Sequence, residues 1–304
     1  MVRGGMRRTL VVSSFLACAL RLSGQQWADA IRNKPQPTFE ELVSLPLVYK
    51  ASGTENVRVL RDVAYLRAPA RSQLMDVYLP SDSGSHPVVL LVHGGVSPTD
   101  RPKDWGNYRS WGRTLAASGL IAVAFNQRLG FPKRQYDLGA SDLREAMDFV
   151  RQHATRLHAV DRICVAAFSG GGPMLAPLIA DTPADVKCLV GFYPILDTRD
   201  TTGAEAEVSD DQRRRYSAVS TIQEGRSPSV ALFVARAGND QIPGVKESID
   251  RFVAAALEKN ANLVLVTHPT GFHGFDTRND DARSREIIVM AIEFMKAHLA
   301  TAHR

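Results

Sequence analysis

Six uninterrupted runs of apolar residues leave this chain few possible folds. Each run has the length of a strand and is apolar throughout, so both of its faces would be buried. Helix-like patterns separate the runs. Apolar residues from Leu143 to Val150, for example, follow the i, i+3, i+4, i+7 spacing of a helix face, with Asp142 as the expected N-cap. Strands alternating with helices predict a mostly parallel sheet covered on both sides. The runs are HPVVLLVHGG, GLIAVAFNQ, RICVAAFS, VKCLVGFYPILD, SVALFVARAGND and ANLVLVTHPTGFH.

Two further strand-like segments, VRVLRDVAYLR and QLMDVYLP, come first and have no helix between them, which predicts an antiparallel entry to the sheet. A length of 304 residues without internal repeats fits one large α/β domain. We therefore expect residues 59–304 to form that domain and residues 25–58 to be an N-terminal leader. The polar stretch 197–228 is either a small cap or an ordinary surface excursion, and it lacks the bulky apolar face of a lipase lid.

Residues 1–24 have the three-part pattern of a secretory signal peptide. Arginines precede an apolar run, residues 9–20, that is too short to span a bilayer, and Ala17 and Ala19 offer an A-x-A cleavage pattern. The tetrapeptide FLAC also resembles a bacterial lipobox with Cys18 as the lipidated residue. A tail without a targeting role is the remaining alternative. We expect an exported protein, periplasmic or secreted, that contacts a membrane only if it is lipidated at Cys18.

The charge distribution bears on the class of partner. Residues 1–24 contain four arginines and no acidic residue, so 33 of the 37 basic residues remain against 32 acidic ones, a net charge of +1. A nearly balanced body gives no support for nucleic-acid binding, which needs a basic face. Cys164 and Cys188 lie inside apolar runs, as buried thiols usually do, and the cysteines show no metal-ligand spacing. We expect neither a metal nor an organic cofactor.

The sequence VAAFSGGGP places Ser169 where a strand-like run meets a helix. Ligands of such sheets bind at the carboxyl ends of the strands. A serine on a sharp strand-to-helix corner lies at a helix N-terminus, whose backbone N–H groups favour negative charge. The corner also requires small residues two positions before and after the serine, and here they are Ala167 and Gly171. Because a serine hydroxyl is a weak nucleophile at neutral pH, it needs a nearby base.

Candidates for the rest of a catalytic site follow other runs. His273, in GFHGF after the last run, is the expected base, and Asp240, in GNDQIP after the preceding run, is the carboxylate expected to orient it. In HGGV, the backbone N–H groups of Gly95 and Val96 would join that of Gly170 as donors to an oxyanion. Serine, aspartate and histidine in this chain order predict a nucleophile, an orienting acid and a base at one edge of the sheet.

Together these motifs resemble the dienelactone-hydrolase and esterase/lipase branches of the α/β-hydrolase superfamily over residues 59–304. The resemblance implies an α/β-hydrolase fold in which Ser169 is the nucleophile, Asp240 the acid and His273 the base. The segments that carry it are DVYLP, VVLLVHGG, AFNQRLG, VAAFSGGG, AGNDQIP and GFHGF.

Two positions depart from the family pattern. The serine motif has Ala167 where glycine is usual, and Val96 stands where many relatives have a third glycine. Dienelactone hydrolases proper resemble cysteine enzymes at this corner, so a serine points to ester hydrolysis in general. We expect a serine hydrolase that cleaves small-molecule carboxylic esters through an acyl-enzyme. The alternatives are a peptidase or thioesterase using the same triad, or a non-catalytic binding protein that retains the fold. The oligomeric state is left open.

Several other polar and aromatic residues invite a functional interpretation. Asp197, in PILDTRD, is a rival for the acid of the triad, although a structural role is favoured. Trp105, Tyr108 and Trp111 recur at spacing three, which is more typical of the buried face of a helix than of a binding platform. Arg128, after the fourth strand-like segment, is expected to anchor loops.

Overall fold

The computed structural model describes residues 24–300 apart from 33, 35–36, 67–72, 95, 98, 132, 200–207 and 227–228. The predicted signal segment, with Cys18, therefore lies outside the described residues except for Gly24. No helix within the described ranges is both long enough and apolar enough to cross a membrane.

The described residues contain one eight-stranded sheet with the spatial order β1-β2-β4-β3-β5-β6-β7-β8. Strand β2 pairs antiparallel with both β1 and β4, and every other pairing is parallel. This confirms the mostly parallel sheet and its antiparallel entry. The strands are β1 (Arg58–Ala64), β2 (Leu74–Leu79), β3 (His86–Val92), β4 (Ile121–Phe125), β5 (Ala159–Phe168), β6 (Val186–Phe192), β7 (Ala231–Ala237) and β8 (Leu263–His268).

Helices separate the parallel strands and bury the sheet. All five residues of β4 are buried, as are the last five of β3, which requires cover on both faces of the sheet. The helices are α1 (Gly24–Arg32), α2 (Phe39–Ser44), α3 (Gly106–Ala117), α4 (Tyr136–Gln152), α5 (Ala154–Leu157), α6 (Leu175–Ala180), α7 (Asp210–Arg215), α8 (Ala218–Gln223), α9 (Val245–Glu258), α10 (Phe275–Arg278) and α11 (Ala282–Leu299). Short 3₁₀ helices lie at Thr54–Asn56, Pro102–Asp104 and Ser169–Met174.

The prediction that Asp142 caps a helix is wrong. Helix α4 begins at Tyr136, so Asp142 lies inside it with a fully buried side chain. Its carboxylate accepts hydrogen bonds from the backbone N–H of Arg128 at 2.6 Å and from the guanidinium of the same residue. Arg128 thus anchors the loop after β4 to α4, as expected. A contact between two elements outweighed the local capping preference of the aspartate.

The aromatic residues at spacing three form part of the core, as predicted. Tyr108 and Trp111 lie in α3 and are buried, whereas Trp105 directly precedes the helix and is half-buried. The rings of Tyr108 and Trp111 lie 5.5 and 5.7 Å, centroid to centroid, from the ring of Phe168 at the end of β5. These large rings therefore support the end of the strand that precedes Ser169.

The N-terminal leader packs on the domain beside the segment that follows β8. The Arg32 side chain, at the end of α1, donates hydrogen bonds to the backbone carbonyls of Thr277 at 2.9 Å and Pro46 at 3.2 Å. Further along, the N–H of Val48 donates to the carbonyl of Asp276 at 2.9 Å. The bonds to Thr277 and Asp276 join the leader to helix α10, a few residues after His273.

Within the polar stretch 197–228, the described residues form α7 and α8. Gln212 and Tyr216 each donate a hydrogen bond of 2.7 Å to the carboxylate of Asp137 in α4. Helix α8 buries its apolar side chains, and it contacts α6 and α9. The described part of this stretch is therefore held to the domain by polar contacts on one helix and by apolar packing on the other.

Candidate active site

The end of β5 turns sharply at Ser169. Phe168 still has an extended backbone, with φ −119°, and Ser169, the first residue of the 3₁₀ helix Ser169–Met174, has φ +53°. A left-handed conformation costs a residue with a Cβ about 1–2 kcal/mol, and such strain is concentrated at functional sites. The carbonyl of Ser169 accepts a hydrogen bond of 2.9 Å from the N–H of Ile195. The predicted helix therefore starts as a tight 3₁₀ turn, which leaves the serine side chain half-exposed at the carboxyl edge of the sheet.

Gly171 has no room for a side chain, although the neighbour that crowds it differs from the predicted one. A Cβ at this position would lie 2.6 Å from the carbonyl oxygen of His93 and 2.8 Å from that of Val92. Crowding by Ala167 was expected, but the nearest atoms belong to the end of β3 instead. The glycine allows the turn after Ser169 to lie directly against the backbone of Val92 and His93.

The structure brings Ser169, His273 and Asp240 into one hydrogen-bonded chain. The Oγ of Ser169 lies 2.8 Å from Nε2 of His273, and Nδ1 of the same ring lies 2.7 Å from Oδ2 of Asp240. A carboxylate only accepts, so Nδ1 carries the proton and Nε2 is free to accept the serine O–H. The other oxygen, Oδ1 of Asp240, accepts a hydrogen bond of 2.9 Å from the N–H of Ile242. This arrangement can take a proton from the serine while holding the imidazole in one tautomer.

Close backbone contacts bring the loops that carry the acid and the histidine together. The N–H of Gly238 donates to the carbonyl of His268 at 2.8 Å, and the N–H of Asn239 donates to the carbonyl of Gly271 at 2.9 Å. These two bonds join the segments after β7 and β8, which are neighbours in the sheet. The side chain of Asp240 is fully buried between them, whereas that of His273 remains 17% exposed. The acid is therefore shielded from solvent, while part of the imidazole remains open to it.

Gly94, in the segment after β3, lies against the serine turn. A Cβ placed on Gly94 would be 3.5 Å from both the backbone nitrogen of Gly170 and the Cβ of Ser169. Of the predicted oxyanion donors, Gly170 directly follows the serine, Val96 is buried, and Gly95 lies outside the described residues. The segment after β3 and the start of the turn after β5 are therefore near neighbours of the serine hydroxyl.

His93 supports this segment as a buried, neutral imidazole. Its Nδ1–H donates to the carbonyl of Gly94 at 2.6 Å, and Nε2 accepts a 3.0 Å hydrogen bond from the N–H of Gln127. The side-chain amide of Gln127 donates in turn to the carbonyl of His93 at 2.8 Å. Burial lowers the pKa of His93 to about 4. The ring packs and hydrogen-bonds locally, and it ties the end of β3 to the end of β4.

Asp197, the rival acid, is engaged elsewhere. Its buried carboxylate accepts hydrogen bonds from Arg199 at 2.9 Å, Arg251 at 2.8 Å and Ser217 at 3.0 Å. Burial acts to raise the pKa of Asp197, but the hydrogen bonds, chiefly those from Arg199, bring it down to about 2. The residue joins the loop after β6 to α8 and α9, and its oxygens face these partners instead of the imidazole.

Tyr193 and Asp276 are near the histidine although the sequence reasoning did not select them. The ring of Tyr193 lies 4.5 Å from the His273 ring, and its hydroxyl donates to Asp276 at 2.7 Å. The indole N–H of Trp111 donates to the same carboxylate at 2.8 Å. The sequence does contain one indication of Tyr193, because this residue directly follows β6 just as Ser169 directly follows β5.

The described residues contain no group of three or more histidine, cysteine or carboxylate side chains suited to hold a metal ion. Cys164 and Cys188 are buried free thiols on paired positions of β5 and β6.

A family model described as BD-FAE matches residues 75–272, which is more than half of the chain. No curated protein matches the sequence at a significant level. Among solved structures, the chain is similar to esterase B from Lactobacillus rhamnosis HN001, with 13% identity, a TM-score of 0.68, and coverage of 82% of this chain and 88% of that one.

Two further solved structures share the architecture. A truncated carbohydrate esterase from gut microbiota has 13% identity and a TM-score of 0.65, covering 82% of this chain and 100% of that one. The thermophilic esterase Est2 from the planctomycete Thermogutta terrifontis has 19% identity and a TM-score of 0.61, covering 84% and 97%. At these identities the structural similarity establishes the fold alone.

Proposed function

The chain belongs to the BD-FAE family, a family of α/β-hydrolase-type esterases, and we propose that Ser169, His273 and Asp240 are the residues with which it hydrolyses carboxylic esters. One observation carries this assignment. A continuous chain of hydrogen bonds runs from the buried carboxylate through the imidazole to the hydroxyl of a serine held at φ +53° at the end of a central strand. A serine so activated and so presented is suited to nucleophilic attack on a carbonyl group.

In the acylation step, Oγ of Ser169 attacks the ester carbonyl carbon while Nε2 of His273 accepts the serine proton. The carbonyl π electrons move to oxygen, and the backbone N–H of Gly170, with those of Gly95 and Val96, would stabilise the resulting anion. The imidazolium then gives its proton to the alcohol oxygen as the carbon–oxygen bond breaks. An alcohol leaves, and the acyl group remains bonded to Oγ.

Water completes the cycle by the same route. Nε2 of His273 accepts a proton from water as its oxygen attacks the acyl carbon, and the imidazolium then returns a proton to Oγ of Ser169 as the acid departs. Throughout, Asp240 keeps the proton on Nδ1 and faces the positive charge that forms on the ring. No step consumes a cofactor.

Mutation of the serine tests the assignment. Ser169→Ala is expected to reduce hydrolysis of p-nitrophenyl acetate by a factor of roughly 10⁴ or more and to abolish labelling by a fluorophosphonate probe. Ser118→Ala is the matched control, since the Ser118 hydroxyl donates to the carbonyl of Thr114 in α3 and should leave both readouts unchanged. Turnover or labelling that survives in Ser169→Ala would contradict the proposal.

Within the α/β hydrolases, we place the chain near the dienelactone hydrolases and small esterases. The described part of residues 197–228 supports this, because it forms two short helices held to the domain and α7 buries none of its residues. Such a segment differs from the broad apolar lid of a lipase. We therefore expect short acyl esters in solution to be preferred over emulsified long-chain esters.

A substrate panel addresses the acyl preference and the alternative chemistries. p-Nitrophenyl acetate, butyrate and palmitate would be compared with a thioester, an aminoacyl amide and an acetylated sugar, the last because one structural neighbour is a carbohydrate esterase. Faster hydrolysis of palmitate, with a rise in rate at an emulsion surface, would contradict the short-acyl proposal. Faster cleavage of the amide or the thioester would favour the peptidase or thioesterase alternative.

We also propose that the protein is exported, on the basis of the pattern in residues 1–24. Mass spectrometry of the N-terminus of protein expressed in a bacterial host measures this directly. Cleavage near Ala19 supports a signal peptide, and a diacylglyceryl group on Cys18 supports a lipoprotein. Retention of residues 1–24 on protein recovered from the cytoplasm would contradict export.

A further inference from the structure

A second carboxylate, that of Asp276, is buried near the His273 imidazole. Its side chain accepts one hydrogen bond on each oxygen, at 2.8 Å from the indole N–H of Trp111 and at 2.7 Å from the hydroxyl of Tyr193. The residue is fully buried. An ionised carboxylate is an acceptor only, so one donor on each oxygen suits the charged form of Asp276.

The described residues offer this carboxylate no lysine or arginine partner, and both of its side-chain donors are neutral. Burial raises the pKa of Asp276, while the hydrogen bonds from Tyr193 and Trp111 and the charge of His273 act in the opposite direction. Burying a carboxylate without a cation is costly. Of the groups that interact with Asp276, His273 is the one that acquires positive charge during the proposed reaction.

Tyr193 connects the carboxylate to the imidazole. Its ring lies 4.5 Å from the His273 ring at an interplanar angle of 56°, and its hydroxyl is bonded to Asp276. The backbone of Tyr193 has φ +38°, a strained value for an aromatic residue, and its N–H donates to the carbonyl of Ala235 at 2.7 Å. Strain retained next to the candidate histidine indicates that the orientation of this ring matters for the site.

We propose that Asp276 is a positioning residue for His273, which holds the Tyr193 ring against the imidazole and supplies a buried negative charge that balances the imidazolium. This inference rests on the proposed function, since it assumes that His273 is the base. Asp240 hydrogen-bonds to the ring directly. Asp276 acts through its hydrogen bond to Tyr193 and through the electrostatic attraction of its charge across the intervening protein. Two carboxylates would then stabilise one transient positive charge.

The two tyrosines that face the pair, Tyr108 and Tyr193, do not lose their protons in the working pH range. Burial raises the pKa of both Tyr108 and Tyr193 far above the working range, so both stay neutral. The groups that face the pair are Asp240 and Ser169 on the imidazole, Tyr108 and Trp111 from α3, Tyr193 after β6, and the backbone N–H of Val48 from the leader at the Asp276 carbonyl. Removing the charge of Asp276 should therefore act mainly on the stability of the His273 imidazolium.

The test is the pH dependence of kcat/KM for p-nitrophenyl acetate in wild type and Asp276→Asn. Its acid limb reports the pKa of the free-enzyme base. Without the nearby negative charge the imidazolium is less stable, so the acid limb should move to lower pH by about half a unit or more. In addition, kcat on the plateau should fall about tenfold.

Asp185→Asn is the matched control for loss of a buried carboxylate. Asp185 precedes β6 at the opposite end of that strand from Tyr193, and its carboxylate pairs with Arg151 at 2.8 Å. This variant should lose stability without moving the acid limb. An Asp276→Asn enzyme that folds and has the wild-type acid limb would overturn the inference.

If Asp276→Asn does not fold, Tyr193→Phe tests the same connection while it keeps the aromatic ring. We expect kcat to fall about threefold to tenfold with KM nearly unchanged, and wild-type kcat would overturn the inference. Ser169→Ala separates the two claims. If that variant is inactive while Asp276→Asn and Tyr193→Phe behave as wild type, the proposed function stands and only the role of Asp276 falls.

Discussion

A single methyl group added at Gly171 should disrupt both the fold and the activity. In Gly171→Ala the new Cβ would lie 2.6 Å from the carbonyl oxygen of His93, and ordinary contact begins at 3.4 Å, so the two must separate by about 0.8 Å. Both sides of this contact are backbone, and neither can rotate away. Overpacking of this kind costs about 1–3 kcal/mol, which for a domain of this size lowers Tm by about 3–10 °C.

The separation would also displace His93 from the turn that carries Ser169. A shift approaching 1 Å in a catalytic arrangement costs about 100-fold in rate, so we expect kcat/KM for p-nitrophenyl acetate to fall by about that factor. Calorimetry and the rate of fluorophosphonate labelling measure the two effects separately. Gly139→Ala in α4 is the control, because its Cβ would meet the flexible side-chain ends of Leu129 and Met174 at 3.2 Å and the Cα of Leu129 only at the ordinary contact distance of 3.4 Å. A Gly171→Ala enzyme with wild-type Tm and labelling rate would refute the reasoning.

Three further outcomes are expected. Asp240→Asn should lower kcat about 10⁴-fold, whereas Asp197→Asn should keep kcat within about threefold of wild type and lose only stability, as steady-state kinetics and thermal unfolding would show. Burial lowers the pKa of His93 from 6.5 in the unfolded chain to about 4 in the folded protein. The neutral ring therefore contributes roughly 3 kcal/mol to the free energy of unfolding above pH 6.5, and this contribution is lost as the pH falls towards 4. Urea unfolding across this range should show the loss in wild type and not in His93→Gln. Arg32→Ala removes the donor to the Thr277 carbonyl and should destabilise the protein by about 1–3 kcal/mol, with faster hydrogen exchange in α1 as the measurement.

The strands and the mostly parallel character of the sheet were predictable because the signal is local. An apolar run such as RICVAAFS is stable as a strand only when both of its faces are buried. A short connection between neighbouring runs restricts their pairing to a few arrangements. Ser169, Asp240 and His273 were predictable at strand ends for the same reason, and the structure brings these three together. The role of Asp142 was predicted wrongly, because a capping motif spans four consecutive residues whereas this aspartate is bonded to Arg128, fourteen residues away.

The remaining features depend on distances between residues that are far apart along the chain. Whether Asp240 or Asp197 faces the imidazole depends on which loop turns towards it, and the arginines that engage Asp197 come from two different elements. The bonds that Asp276 accepts from Tyr193 and Trp111 span 83 and 165 residues. Strand and helix patterns show which faces of a segment are exposed to water and which are buried in the core. Hydrogen bonds between residues so far apart in the sequence form only once packing has brought the two partners together.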